Sequence, residues 1–150
     1  MRKKILLLAG LVVTPLLVAC TSNEQENNLS TSINYDYDMV SDYHISFQDI
    51  LSQEDDEYFA YIYSKSCRHC MNIKNEVIEF ALGGHYPLYF VTYSNEIKVT
   101  RDIDSTIGAK DVNDIAILGT PTLLQIENAS LIMNVAGEED VLDVLNSYKK

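Results

Sequence analysis

The sequence predicts an α/β domain built on a parallel pair of strands, and three observations carry that prediction. Tyr58-Phe59-Ala60-Tyr61-Ile62-Tyr63 is aromatic and apolar throughout with no helical stripe, as a strand buried on both faces must be. After it, Cys70, Ile73, Val77, Ile78, Ala81 and Leu82 recur at helical spacing until Gly83-Gly84 provides a stop. Pro87 to Tyr93 then supplies a second buried strand, and a strand, helix, strand order of this length closes as a right-handed parallel crossover.

The 150 residues, 47% hydrophobic, fit one globular domain, but the first nineteen do not belong to its core. Arg2, Lys3 and Lys4 make a basic start, Ile5 to Val18 an apolar stretch, and Leu17-Val18-Ala19-Cys20 ends it with small residues before a cysteine. Pro15 and the short length argue against a spanning helix, which needs roughly 20 apolar residues. The ending resembles a bacterial lipobox. That resemblance implies cleavage before Cys20, a diacylglyceryl group on its thiol, and a lasting anchor, because two acyl chains hold where one does not. Removing residues 1–19 takes three of the 11 basic residues and none of the 22 acidic ones, so the charge goes from −11 to −14. Such a surface excludes nucleic acid as a partner and leaves the lipid on Cys20 as the only membrane contact in view.

Residues 20–42 are rich in Asn, Ser, Thr, Glu and Asp without sustained apolar period, and read as a flexible tether, with Tyr35 and Tyr37 open to an edge strand. The folded domain is then 43–150. Ser46 is placed to cap a short helix carrying Phe47, Ile50 and Leu51. Asn95 to Leu118 is polar, with Ile103, Ile107, Val112, Ile115 and Ile117 spaced loosely enough for one or two short helices. Gly119-Thr120-Pro121-Thr122 follows, and Leu123–Ile126 and Leu131–Ala136 make a hairpin about a turn at 128–130. The final segment, 138–150, has Glu138, Glu139 and Asp140 in its first turn and Lys149 and Lys150 at its end, charges that match a helix dipole.

The chemistry is expected at Cys67-Arg68-His69-Cys70, between the first strand and its helix. Two thiols three residues apart can reach one disulfide, and a helix N-terminus favours a thiolate on the first. With Cys20 lipidated, no other thiol remains to scramble the pair. A CxxC beside a βαβ pattern, a Thr-Pro before a hairpin, and a closing helix together resemble the thioredoxin superfamily across about residues 43–150. The resemblance implies a thioredoxin fold, a central mixed β-sheet flanked by helices. It also implies a cis peptide bond before Pro121 beside the thiols, and a backbone at Thr120 that pairs with an extended substrate.

By the same resemblance Cys67 is the attacking thiolate, Cys70 resolves the mixed disulfide, His69 tunes the pair, and Thr120, Pro121 and Arg68 meet substrate. A histidine before the second cysteine is similar to disulfide isomerases and disulfide-forming oxidases, where reducing thioredoxins have proline. Stabilising a thiolate favours the reduced form and makes the disulfide a stronger oxidant, within a family span of about −270 to −120 mV. His69 and Arg68 therefore point to an intermediate or oxidising potential. Two positions depart from the family pattern: Tyr61 stands where a buried aspartate is usual, and Ser66 where an aromatic precedes the first cysteine.

The activity expected is thiol–disulfide exchange with exported proteins, on the outer side of a bacterial membrane, by a monomer reset by a membrane redox partner. It needs no cofactor beyond the Cys67–Cys70 disulfide and no metal. Two rival readings have concrete content. One is an accessory lipoprotein that keeps the fold for docking, as in export of a secreted peptide. The other is a CxxC metal site drawing on His44, His69 and His85, although their spacing fits no standard zinc pattern.

Overall fold

The structure, a computed structural model, describes residues 34–149. The expected signal segment at 1–19, the lipidation expected at Cys20 and the expected tether as far as residue 33 lie outside the described residues. Strand β1 (Glu57–Tyr63) is the sheet's centre, paired parallel with β2 (Leu88–Thr92) and antiparallel with β5 (Thr122–Glu127), which in turn pairs with β6 (Ser130–Ala136). The order is β2-β1-β5-β6, so the sheet is mixed as expected. His44 extends the β2 edge through a single parallel bridge to Phe90.

The parallel pair forms because β1 has a hydrophobic residue for both faces. Phe59, Tyr61 and Tyr63 point to one side, with Phe90, Val77, Ile78, Phe80 and Leu145. Tyr58, Ala60 and Ile62 point to the other, with Ile50, Val91, Ile97, Ile115 and Ile117. All six of these strand residues are at most 1% exposed. Burial of this kind contributes about 1.5–3 kcal/mol per large side chain, which is why the uniform apolar run overrides any preference for a solvated edge.

Two sequence expectations for helices change. The motif helix is broken: α1 (Arg68–Asn72) ends at Ile73, whose φ of −103° and ψ of 7° are not helical, and α2 (Lys74–Leu82) begins beyond it. A poor helix former, Asn72, is followed there by a β-branched residue that is buried. The apolar period survives the break, except that Leu82 is exposed. Gly84, at φ 64°, makes the left-handed turn that stops α2.

Asn95 to Leu118 holds no α-helix. It forms two single 3-10 turns, Asp104–Thr106 and Val112–Asp114, and a second small sheet pairing β3 (Lys98–Val99) parallel with β4 (Ala116–Ile117). Its backbone groups are taken by strands instead: Thr100 N–H bonds Ile117 O, Gly108 N–H bonds Leu131 O, and Leu131 N–H bonds Ala109 O. Buried Asn134 of β6 donates to Ala116 O at 2.9 Å and Thr106 Oγ1 at 3.1 Å, tying this segment to the main sheet.

The hairpin and closing helix match their expectations. The β5–β6 turn is two residues, Asn128 and Ala129, both at positive φ (49° and 57°). Helix α3 (Glu138–Tyr148) buries Val141 and Leu145 and packs against α2.

The domain boundary needs correction, because residues 37–42, expected in the tether, belong to the folded part. Tyr37–Tyr43 is 3-10 helix, capped by Asp36 and kinked at Val40, and it packs on α2 and β2. Tyr37 is 4% exposed and Val40 fully buried. The polar composition around them conceals two anchors, and two such side chains suffice to fix a short segment to the core. The edge-strand alternative for Tyr35 and Tyr37 is likewise not met: Tyr37 begins this helix and Tyr35 precedes it in irregular backbone. Ser46 does cap Phe47–Asp49, again one 3-10 turn.

Candidate active site

The strand-to-helix turn after β1 carries Cys67, which is the N-cap of α1. Its sulfur accepts the Cys70 backbone N–H at 3.2 Å, and its thiol donates to the Thr120 carbonyl at 3.2 Å. Because α1 has only five residues, the stabilisation expected of a long dipole comes instead from the amides of its first turn. Both cysteines are free thiols, Cys67 partly exposed and Cys70 fully buried.

Their environments pull the two thiols apart. Burial opposes the charged form of Cys67. Hydrogen bonds from the Cys70 thiol, the Thr120 side chain and the backbone of Cys70 and His69 outweigh it and hold Cys67 below the ordinary thiol value. Cys70 is pushed up to about 11, by burial first and then by the hydrogen bond it gives to Cys67. One thiol is prepared as a nucleophile and its neighbour is stored protonated.

The Thr120–Pro121 peptide is cis, and Pro121 is buried. Folding therefore brings Thr120 and Pro121 to Cys67 across 53 residues of sequence. Beside them lies a cavity of 170 Å³ lined by Leu118, Gly119, Thr120, Pro121, Ala136 and Gly137. Leu118 is 48% exposed there and offers an apolar contact. Arg68 points to solvent in the first turn, and its charge acts on Glu138.

His69 is exposed, and its Nδ1–H donates to the carboxylate of Glu138, the first residue of α3. Asn72 Nδ2 donates to the same oxygen at 2.9 Å. Together with the Arg68 charge, these bonds keep the Glu138 carboxyl below its usual range, His69 contributing most. Sequence reasoning missed Glu138 as a site residue. It read as one of three acidic residues suited to a helix N-terminus, and nothing local marks it as the partner of a histidine 69 positions away.

The position of the absent acid is now defined. Tyr61 is fully buried, and its hydroxyl and that of Tyr37 approach one another near Cys70 without either closing a hydrogen bond. Burial above all raises both phenols far above their ordinary value, with Tyr37 raising Tyr61 further while Tyr61 partly lowers Tyr37, so both are neutral. Neither can carry the charge of a carboxylate. Tyr63 is used differently: it stacks on Tyr37 at 3.8 Å and donates to His44 Nε2 at 2.8 Å. His44 Nδ1–H in turn donates to Val40 O, which makes His44 a strut between the N-terminal 3-10 helix and β1. His85 lies against Phe80 at the end of α2. Among the described residues, no three His, Cys, Asp or Glu side chains converge as a metal set would require.

This strand order, with a CxxC after the central strand and a cis-proline opposite, is the thioredoxin fold. No family model matches the sequence. Among solved structures, the chain is similar to a candidate oxidoreductase with a thioredoxin fold, at 15% identity, a TM-score of 0.50, and coverage of 77% of this chain and 100% of that one. It is also similar to thioredoxin f2 of Chlamydomonas reinhardtii, at 13% identity, TM-score 0.46 and coverage of 71% and 94%. Thioredoxin from Aeropyrum pernix gives 17%, 0.44, and 67% and 79%. At these identities the likeness speaks for the fold alone.

Proposed function

We propose that this protein is a thiol–disulfide oxidoreductase, anchored by a lipid on Cys20 to the extracytoplasmic face of a bacterial membrane, acting on exported proteins. The observation that carries the reading is the asymmetry of the two thiols: Cys67 accessible and favouring its charged form beside Thr120, Cys70 buried and held protonated.

In the reducing direction the Cys67 thiolate attacks one sulfur of a client disulfide. A Cys67–client disulfide forms, and the other client sulfur leaves as a thiolate that takes a proton from solvent. Cys70 then releases its proton to solvent and attacks Cys67 Sγ. The Cys67–Cys70 bond forms, the mixed disulfide breaks, and the second client thiolate departs, so two electrons have passed to the client. The oxidising direction is the reverse. A membrane partner that exchanges two electrons with the pair resets it in either case. An extended client segment lies along Thr120, with an apolar side chain in the cavity beside Pro121 and Leu118.

The test is exchange with a small-molecule disulfide by the purified domain. Cys67→Ser abolishes turnover on this account, while Cys70→Ser accumulates the mixed disulfide. Undiminished turnover in Cys67→Ser refutes the reading. The anchor is tested separately: Cys20→Ala should move the protein from the membrane fraction to the soluble one.

A further inference from the structure

We infer that the crevice on the β2 side of Cys67 is a carboxylate subsite, which selects clients carrying an acidic side chain close to the exchanging cysteine. This rests on the exchange activity proposed above and names a class of client for it. The sheet order β2-β1-β5-β6 puts two cavities on opposite sides of β1, the strand that leads to Cys67. Toward β5 lies the apolar cavity at Pro121, Ala136 and Gly137. Toward β2 lies an open crevice of about 310 Å³, walled by Asp38 and Ser41 of the N-terminal 3-10 helix, by Lys65, and by Thr92 at the end of β2.

The floor of this crevice is fixed and its walls are not. Tyr37 and Tyr63, stacked and at most 4% exposed, form the floor. His44 closes one side with both ring nitrogens committed, to Val40 O and to the Tyr63 hydroxyl. Ser41 and Thr92 are exposed, and among the described residues no hydrogen bond holds either hydroxyl. Lys65 Nζ lies 3.8 Å from Asp38 Oδ1, too far for a hydrogen bond, and the two side chains are 67% and 89% exposed. Such a pair holds its members weakly, so the ammonium can turn to a better acceptor. The crevice thus offers one ammonium and two hydroxyls to a group that only accepts, and that group is a carboxylate.

The sequence around it agrees in sign. Between Glu57 and Glu76 no acidic residue occurs, while Lys65, Arg68 and Lys74 do, in a chain of 22 acidic and 11 basic residues. Lys65 stands two residues before Cys67, whose N–H closes the turn on Ser64 O at 3.1 Å. An extended client advances about 3.3 Å per residue, so the side chain that enters the crevice belongs to a near neighbour of its cysteine. Long-range attraction to the whole chain, at −11, would select cationic clients instead. A preference for an acidic client therefore reports the local site.

The experiment mixes the reduced protein with acetylated, amidated peptides whose single cysteine is blocked as a 2-thiopyridyl disulfide. The Cys67 thiolate attacks the peptide sulfur, a Cys67–peptide disulfide forms, and the pyridine-2-thiolate that leaves takes a proton and is read as the thione. Glu is placed just before or just after the cysteine, with Gln in the matching controls. The wild type should react about 2- to 5-fold faster with one of the two Glu peptides than with its Gln control, the size of one exposed ion pair. Lys65→Gln should bring that ratio to within about 1.5-fold, and Asp38→Asn, which releases the ammonium, should raise it. Arg68→Gln removes the same charge beside Cys67 but outside the crevice, and should keep most of the ratio. No preference in the wild type, an equal preference for both Glu positions, a ratio unchanged in Lys65→Gln, or one lost in Arg68→Gln overturns the subsite. If no peptide releases the thione, the exchange reading fails and the subsite with it; release without preference removes the subsite alone.

Discussion

The difference between the two thiols can be tested by a competition between them for one reagent. A thiol at about 11, as Cys70 is, is ionised at pH 7 in about 1 molecule in 10,000, whereas an ordinary thiol near 8.5 is ionised in about 1 in 30. An ordinary thiol is therefore about 300 times more ionised than Cys70, and Cys67 is shifted in the direction that widens the gap. The more basic thiolate is intrinsically more nucleophilic, and a Brønsted slope of 0.4–0.5 over this interval returns about a factor of ten. Ionisation alone therefore leaves roughly a 30-fold preference for Cys67, and the complete burial of Cys70 adds to it. The assay is a brief exposure of the reduced protein to iodoacetamide at pH 7, with the modified cysteine located by peptide mass. The Cys67 rate should level off at a lower pH than that of an ordinary thiol, because its charged form is favoured. In Cys67→Ser, the Cys70 rate should still be climbing above pH 9. Comparable labelling of both residues at pH 7, or a Cys67 profile that follows an ordinary thiol, refutes the argument.

Three stability predictions follow from the fold. Ala129→Gly should stabilise the domain by about 0.5–1 kcal/mol, because Ala129 holds a left-handed conformation at φ 57° that costs a side chain about 1–2 kcal/mol and glycine little; urea unfolding reads it, and a loss of stability contradicts the turn. Val40→Ala should destabilise the domain by about 1–3 kcal/mol, since Val40 is fully buried against the core; no effect would restore residues 37–42 to the tether. Tyr61→Phe should leave exchange rates within about 2-fold and raise stability by roughly 1 kcal/mol, because it removes a buried hydroxyl without a partner; a large fall in the resolving step would show that the hydroxyl takes part.

Much of the fold was legible because its central elements are written locally. The β1 run from Tyr58 to Tyr63 is apolar at every position, so no alternative to a doubly buried strand was available. Asn128 and the apolar runs around it announced the hairpin, and Glu138 to Asp140 announced the start of α3. The thiols themselves were legible from spacing, and Thr120-Pro121 from the order of motifs around it. What was not legible depends on partners distant in sequence. Asn95 to Leu118 follows the sheet because Asn134 and Leu131 take its backbone groups, not because of any period of its own. Tyr37 and Val40 are two anchors in a polar stretch, below what a periodicity argument can detect. Glu138 meets His69 only after β6 turns at Gly137 into α3.

The claim on which the rest depends is that Cys67 and Cys70 cycle as one two-electron couple. It is tested most directly by equilibrating the reduced domain across a series of glutathione ratios and recording the intact mass and the count of alkylatable thiols at each. The account predicts one transition, with a loss of about 2 Da from each molecule as both thiols become protected together. Thiols that stay free across the whole series, or that take up glutathione independently without joining each other, would contradict it.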